Sequence, residues 1–218
     1  MAPFVLKSLP YPFLLRYPRV FHVTLVPDPA ALIHSGLRSA SGLLDLFGLD
    51  GPERYAMERR QRKTAVRLEH LEHGSAFLND QRPLPAKAME RCLRSMTSEE
   101  WYVELNERIF FWLSRNRLHP FASARFGAKL PRTLLTLNTR ALCAGDESGN
   151  ESRLELCAFN SGSAIRRAAP RDRSSLQSVH AFPLRHPGSR TTRTPVELSI
   201  VIRRLPIAHA VEAVEPLG

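Results

Sequence analysis

Residues 20–37 read Val-Phe-His-Val-Thr-Leu-Val-Pro-Asp-Pro-Ala-Ala-Leu-Ile-His-Ser-Gly-Leu, and this stretch decides the fold. Its first six residues are mainly apolar or β-branched and predict a buried strand. Asp28, followed by proline, predicts the start of a short helix, and Gly36 predicts its end. His22 and Thr24 lie two residues apart on the strand, so their side chains point to the same side. They can therefore line one pocket together.

The composition favours a single basic domain. The 218 residues carry 31 Lys and Arg against 21 Asp and Glu, a formal net charge of +10, and 43% are hydrophobic. We expect an N-terminal extension over 1–19 and one domain over 20–214, with room for a sizeable core. The charge favours polyanionic partners such as DNA, RNA or a nucleotide cofactor. A solvated basic face from an arginine-rich proteome explains the same charge.

The cysteines and the apolar segments predict a compartment. Cys92, Cys143 and Cys157 form no Cys-x-x-Cys pair and no disulfide framework, which favours a reducing environment. Prolines interrupt the apolar N-terminus, which makes it a poor signal peptide. Because no apolar run reaches about 20 residues, no membrane partner is expected. The sequence thus predicts a cytoplasmic protein.

The pattern along the chain predicts the α+β class, with helices concentrated in the N-terminal half. Thr97-Ser-Glu-Glu100 is a capping box that opens a helix. The arginine-rich segment 163–194 predicts a long basic loop, either a solvated connector or a segment that follows a phosphate backbone. A tail is expected over 206–214. The expected strands are 20–25, 64–69, 107–113, 133–138, 153–159 and 195–202, and the other expected helices are 29–35, 39–47, 52–63 and 86–94.

Two strands carry residues with more than one interpretation. Phe110, Phe111 and Trp112 are consecutive, and because side chains alternate along a strand they cannot all face one pocket. At least one of them belongs to the core. Glu197 stands between Val196 and Leu198, a pattern that fits either a solvent-facing residue or a catalytic carboxylate. His22 likewise fits either a core histidine or a ligand-binding one.

The order of these elements resembles the ADP-ribosyltransferase domains, and most closely the DarT type, toxins that modify DNA bases. The resemblance covers roughly residues 20–214: a His-x-Thr strand, a helix ending in Gly36-Leu37, an aromatic strand over 109–113, and a late strand with Glu197. It implies a split, mostly antiparallel β core. The chain also resembles an uncharacterised bacterial family that shares the triplets Asn79-Asp80-Gln81 and Asn160-Ser161-Gly162.

The resemblance implies NAD+ as a substrate, an acceptor that is nucleic acid (DNA or RNA) rather than protein, and an antitoxin protein as a partner. Glu197 is then the catalytic residue that holds the ribose 2′-hydroxyl while positive charge builds on the sugar. Arg108 is a candidate for the arginine that helps to activate the acceptor, with Arg82 as an alternative. The implied cofactor-binding residues are His22 at the adenosine ribose, Thr24 on the nicotinamide side, Phe111 among the aromatics that stack on nicotinamide, and Gly36 and Leu37 at the close approach of the backbone.

The sequence departs from the family pattern just before Glu197. Arg193, Thr194 and Pro195 stand where the toxins carry a second acidic residue or glutamine. A non-catalytic module that binds a nucleotide or nucleic acid through a degenerate pocket is therefore the main alternative, and an RNA 2′-phosphotransferase is the third. His70 and His73 lack a third ligand, so no metal site is expected.

Overall fold

The structure is a computed structural model that describes residues 11–25, 28–62, 64–78, 86–118, 132–144, 153–162, 170–183 and 194–217. Within these residues the fold is α+β, as predicted, and six of the seven α-helices precede residue 107. The helices are α1 Tyr11–Arg16, α2 Pro29–Ser35, α3 Ala40–Leu46, α4 Gly51–Arg59, α5 Ala86–Cys92, α6 Ser98–Asn106 and α7 Thr139–Ala144. The strands are β1 Arg19–Thr24, β2 Leu37–Arg38, β3 Val66–His70, β4 Gly74–Leu78, β5 Arg108–Trp112, β6 Arg132–Asn138, β7 Arg153–Cys157, β8 Gln177–Ser178, β9 Glu197–Val201, β10 Arg204–Leu205 and β11 Val211–Leu217.

The predicted helix signals act as expected. The Asp28 carboxylate accepts hydrogen bonds from the backbone N–H groups of Ala30 and Ala31 at the start of α2. Gly36 ends that helix with a φ of 85°, a conformation that favours glycine. The capping box of Thr97 and Glu100 is present at the start of α6. The local sequence is therefore sufficient to place both helix starts.

A seven-stranded sheet forms the centre of the molecule, in the order β11-β6-β1-β5-β9-β7-β8. Its described strand pairs are all antiparallel. Strand β5 pairs with β9 at five consecutive positions but with β1 at one position, Phe21 opposite Trp112. Strands β1 and β5 therefore separate after a single residue pair, and the sheet opens there.

Apolar clusters cover both faces of this sheet. The main cluster includes Phe111 and Leu198 together with Phe13 and Tyr17, so the predicted N-terminal extension contributes to the core. Helices α5 and α6 cover the opposite face around Trp101. A third cluster joins α3 to the β3–β4 hairpin. Because both faces of the sheet are covered, side chains are buried on both faces of its central strands.

Two segments differ from the sequence prediction. The expected tail over 206–214 instead contributes to β11, an edge strand that pairs with β6. Residues 170–183, part of the predicted basic loop, pack into the core, where Leu176, Val179 and Phe182 anchor them. No helix in the described ranges has the length and apolar character needed to cross a membrane.

Candidate functional site

A cavity of about 800 Å³ lies where β1 separates from β5. This volume lies within the range typical of small-ligand sites. Strand β1, the end of α2, strand β5 and the 161–162 turn all contribute to its wall. Of the seven site residues predicted from the sequence, five line the cavity: His22, Thr24, Gly36, Leu37 and Arg108. The other two, Glu197 and Phe111, do not line it.

His22 occupies the opening between the two strands. Its Nδ1 lies 2.9 Å from the Phe110 carbonyl oxygen, an acceptor, so Nδ1 carries the hydrogen and donates. The N–H of the ring thus takes the place of a backbone N–H of β1, which would bond this carbonyl if the β1–β5 ladder continued. Burial lowers the pKa of His22, and the bond to the Phe110 carbonyl only partly offsets this effect. The ring is neutral at pH 7 and keeps Nε2 as an acceptor, which suits a ligand hydroxyl.

Gly36 is required by packing. A Cβ at this position would lie 2.6 Å from the Leu205 carbonyl oxygen, which is too close for any side chain. Leu37 and Leu205 are paired across β2 and β10, and both are buried in the main cluster. The Gly36-Leu37 pair therefore fixes one cavity wall, and this packing alone explains the glycine. Thr24, which is 9% exposed, lines the same cavity from the end of β1.

The aromatic strand divides between core and cavity, as its alternation requires. Phe111 is fully buried in the main cluster, with its ring centroid 5.6 Å from that of His22. Phe110 and Trp112 line the cavity. Phe110 and Trp112 are therefore the aromatic residues of β5 at the cavity, while Phe111 packs against the His22 ring from the core.

Glu197 lies directly behind the cavity wall. It is 1% exposed and stands opposite Trp112 in the ladder. Its Oε2 accepts hydrogen bonds from both the backbone N–H and the hydroxyl of Ser161, each at 2.9 Å, and Ser161 lines the cavity. Oε1 has no hydrogen-bond partner among the described atoms. Burial raises the pKa of Glu197 to about 7, against the opposing effects of Ser161 and Arg171.

Arg171 holds the turn that contacts Glu197. Its guanidinium lies 4.8 Å from the centre of the Phe159 ring and donates to the carbonyl oxygens of Asn160, at 3.2 Å, and Ser161, at 3.5 Å. The side chain is 2% exposed because aromatic and carbonyl groups replace its water. Ser161 and Arg171 were not predicted as site residues. The Asn160-Ser161-Gly162 triplet that follows β7 was the available signal, whereas the Asn79-Asp80-Gln81 triplet lies outside the described residues.

Arg108 lines the cavity, but its charge is already compensated. Its side chain is fully buried and forms ion pairs with Glu155, at 2.9 Å, and Glu104, at 2.7 Å. Arg173 binds the same two carboxylates, at 2.5 and 3.2 Å. Two arginines and two glutamates thus form one network between α6, β5 and β7. This arrangement favours a structural role for Arg108, and the alternative residue Arg82 lies outside the described residues.

His70 and His73 lie at the β3–β4 turn together with Glu72, a third candidate ligand that was not predicted. Ligand atoms of the three residues lie within 4.8 Å of one another, and the two imidazole rings stack at 4.6 Å. His70 Nδ1 accepts a hydrogen bond from the Glu72 N–H. That bond occupies the Nδ1 lone pair, which disfavours metal coordination through this nitrogen.

The comparisons with known proteins identify a family. Residues 18–211 match the model of a family of unknown function, DUF7002, and the chain belongs to this family. No curated protein matches the chain, and no solved structure matches it. The matched range begins just before β1 and extends into β11, so it includes the strands that form the cavity.

Proposed function

We propose that this member of the DUF7002 family is an NAD+-dependent ADP-ribosyltransferase-like enzyme. The observation that carries the proposal is the arrangement around the cavity. His22, Thr24, Phe110 and Trp112 line it, and Ser161 of the same wall binds the buried Glu197. A neutral imidazole, a hydroxyl, two aromatic surfaces and a carboxylate are the groups that a dinucleotide with ribose hydroxyls and a planar base requires.

The proposed chemistry breaks the glycosidic bond of NAD+. Nicotinamide leaves with the bonding electron pair, and the ribose carbon develops oxocarbenium character. The Glu197 carboxylate, through Oε1, accepts a hydrogen bond from the ribose 2′-hydroxyl, and this bond strengthens as positive charge builds. An acceptor nucleophile then forms the new bond to the ribose carbon and releases its proton to water. Because Ser161 occupies Oε2, this step assigns the sugar contact to Oε1, which is buried behind the cavity wall and has no hydrogen-bond partner among the described atoms.

The acceptor that we propose is nucleic acid. The net charge of +10 favours a polyanion over an average protein surface. A toxin-like role implies an antitoxin protein that blocks the site. A cytoplasmic location is part of the proposal, and it is supported by Cys92, Cys143 and Cys157, which are all free thiols.

The test is NAD+ turnover and transfer of labelled ADP-ribose to DNA, RNA or the protein itself. We expect Glu197→Gln to bind NAD+ in calorimetry but to lose at least 100-fold in turnover, since electrostatic stabilisation of this kind is typically worth that much. Glu212→Gln, a surface change at an ion pair with Arg19, is the matched control and should keep full activity. Equal inertness of wild type and Glu197→Gln over a broad acceptor panel would refute the proposal.

A binding module without catalysis is the second candidate, and one observation favours it. Glu197 is not part of the cavity wall, and ion pairs with Glu104 and Glu155 neutralise the charge of Arg108. Such a module would bind a nucleotide with the same affinity in wild type and Glu197→Gln, and neither protein would turn it over. Steep salt dependence of DNA binding without affinity for NAD+ would likewise favour the module.

A further inference from the structure

The charged side chains in the cavity wall have one sign. Among the described residues that line the cavity, five are arginines and none is an aspartate or a glutamate. Two of the five have partners elsewhere: Arg108 forms ion pairs with two glutamates, and Arg62 donates to Asn106 at 2.9 Å. Arg60 lies over the Tyr55 ring, 5.4 Å from its centre. The remaining two are Arg38 and Arg204.

Arg38 and Arg204 are direct cross-strand neighbours. They are Cα partners in the β2–β10 ladder, whose other pair, Leu37 and Leu205, is buried in the main cluster. Alternation turns both arginine side chains to the same face of the ladder, and both arginines line the cavity together with Leu37. Like charges directly opposite each other destabilise a sheet, so this pair works against folding unless something compensates it.

The adjacent Arg203 shows how the chain compensates an arginine in this region. Its guanidinium lies 3.4 Å from Glu107, 3.6 Å from Asp45 and 3.9 Å from Glu58. No carboxylate of the described chain forms an ion pair with Arg38 or Arg204. Arg204 donates instead to the Ser35 carbonyl oxygen at 2.8 Å. Three carboxylates from separate parts of the chain thus lie near Arg203, while Arg38 and Arg204 have no carboxylate partner among the described residues.

Arg38 is partly shielded from water, whereas Arg204 is exposed. Burial, followed by the charge of Arg204, lowers the pKa of the Arg38 guanidinium. An anion stabilises a partly buried cation that lies beside a second cation more than it stabilises a fully exposed cation. Arginine is also the side chain that binds phosphate with two parallel hydrogen bonds.

We propose that Arg38 and Arg204 together form a phosphate-binding clamp in the cavity wall, so that the natural ligand carries a phosphate or diphosphate group. Assigning that group to the diphosphate of NAD+ rests on the proposed function, whereas the clamp itself does not. Arg204 contacts the end of α2 through the Ser35 carbonyl, while Ser161 contacts Glu197 at the start of β9. Arg204 and Ser161 line the same cavity, so a ligand with a phosphate in the clamp can extend toward the Ser161 side.

The test uses Arg38→Gln and Arg204→Gln, with Arg203→Gln as the matched control outside the cavity. Calorimetry with inorganic pyrophosphate, at ionic strength held constant with NaCl, should show binding to the wild type and to Arg203→Gln. Each of the other two variants should lose about tenfold or more in affinity, as expected for a charge-assisted contact. Equal pyrophosphate affinity in all four proteins, or no binding to any, overturns the clamp.

Melting temperatures with and without pyrophosphate distinguish a binding role of Arg38 from a purely structural one. Without an anion, Arg38→Gln should melt at the same temperature as the wild type or above it, because one of two like charges is gone. With pyrophosphate in excess, the wild type should melt higher than Arg38→Gln, because the ligand stabilises only the protein that binds it. A variant that melts lower under both conditions contradicts the proposal.

Two further ligands separate the sources of the phosphate. If NAD+ loses affinity in Arg38→Gln by a factor similar to pyrophosphate, the clamp holds the diphosphate of NAD+. If NAD+ binds none of the proteins while pyrophosphate binding still depends on Arg38 and Arg204, the clamp stands and the proposed function fails. If only a single-stranded DNA oligonucleotide binds, and Arg203→Gln weakens it as much as Arg38→Gln, general surface charge explains the binding and the clamp is refuted.

Discussion

The two edges of strand β5 differ, and the difference separates stability from ligand binding. Toward β9 the strand is paired at five consecutive positions, and Phe111 and Leu198 meet there in the core. Toward β1 it is paired at one position. Beyond that pair the His22 ring donates a hydrogen bond to the Phe110 carbonyl, and the cavity begins. One strand thus closes the core along one edge and opens a site along the other. Substitutions on the two sides should separate into losses of folding and losses of binding.

The largest expected effect is at Phe111, whose ring lies on the core face of β5. Phe111→Ala should lower the free energy of unfolding by about 4 kcal/mol, because it removes a fully buried ring and leaves a cavity. Urea denaturation measures this loss. Phe110→Ala, on the opposite face of the same strand, is the matched control and should cost about 1 kcal/mol while weakening ligand binding. Equal destabilisation by the two changes would contradict the assignment of Phe111 to the core and Phe110 to the cavity.

Arg108→Met is the next largest change. It leaves Glu155, with 5% of its side chain exposed, without one of its two cations, and the free energy of unfolding should fall by about 3 kcal/mol. Arg173→Met, at the more exposed end of the same network, should cost about 1 kcal/mol. Both values come from urea denaturation. A fully stable Arg108→Met protein that loses transfer activity would instead restore Arg108 as a catalytic candidate.

Glu197→Gln should change how stability depends on pH. The pKa of Glu197 in the folded protein is raised to about 7, so the folded state keeps a proton that the unfolded chain loses near pH 4.3. The contribution of Glu197 to the free energy of unfolding of the wild type therefore falls as the pH rises from the unfolded pKa to the folded pKa. At higher pH this contribution stays low. Glutamine does not titrate, so relative to wild type the variant should gain roughly 2 kcal/mol between pH 5 and pH 8.

Unfolding curves of wild type and Glu197→Gln at pH 5, 6, 7 and 8 measure this difference. Glu212→Gln is the control, because its pKa is lowered by Arg19 and its effect should be constant over this range. If the free energies of unfolding of wild type and Glu197→Gln differed by the same amount at every pH, the pKa of Glu197 would not be raised. The conclusion that burial raises this pKa would then be wrong.

The smallest expected effect is at the opening itself. His22→Leu leaves the Phe110 carbonyl without its partner, next to a cavity that water can enter, and should cost about 1 kcal/mol of unfolding free energy. The same change should weaken NAD+ binding about tenfold, measured by calorimetry. His34→Leu, an exposed position on α2, is the control and should alter neither quantity. A loss of stability comparable to that of Phe111→Ala would show that His22 acts as a core residue and not as part of the cavity wall.

The sequence was most informative where signals are local. Asp28, Gly36 and the Thr97–Glu100 box act through neighbours within a few residues, and all of them were placed correctly. The alternation of β5 also predicted that at least one aromatic belongs to the core. It did not identify which one, because both faces of the sheet are covered and neither face is polar.

The remaining features depend on contacts that no local pattern encodes. Arg171 stands in a basic segment, and its burial depends on the Phe159 ring and on carbonyl groups of another loop. Strand β11 contains Glu212, Glu215 and Pro216, a composition untypical of strands. It nonetheless forms an edge, because β6 offers a partner and Arg19 and Arg115 bind its glutamates. Such pairings become predictable only once the topology is known.

The hydrogen bond from Arg204 to the Ser35 carbonyl joins residues 169 positions apart. The Gly36–Leu205 contact and the β2–β10 ladder span nearly the same distance along the chain. Closing a loop of this size costs entropy that the contacts at its ends must offset. A chain emerging from the ribosome has no complete cavity until residue 205 is available. The two walls of the site therefore come from opposite ends of the chain, and a growing polypeptide that has not reached β10 carries no activity that depends on the cavity.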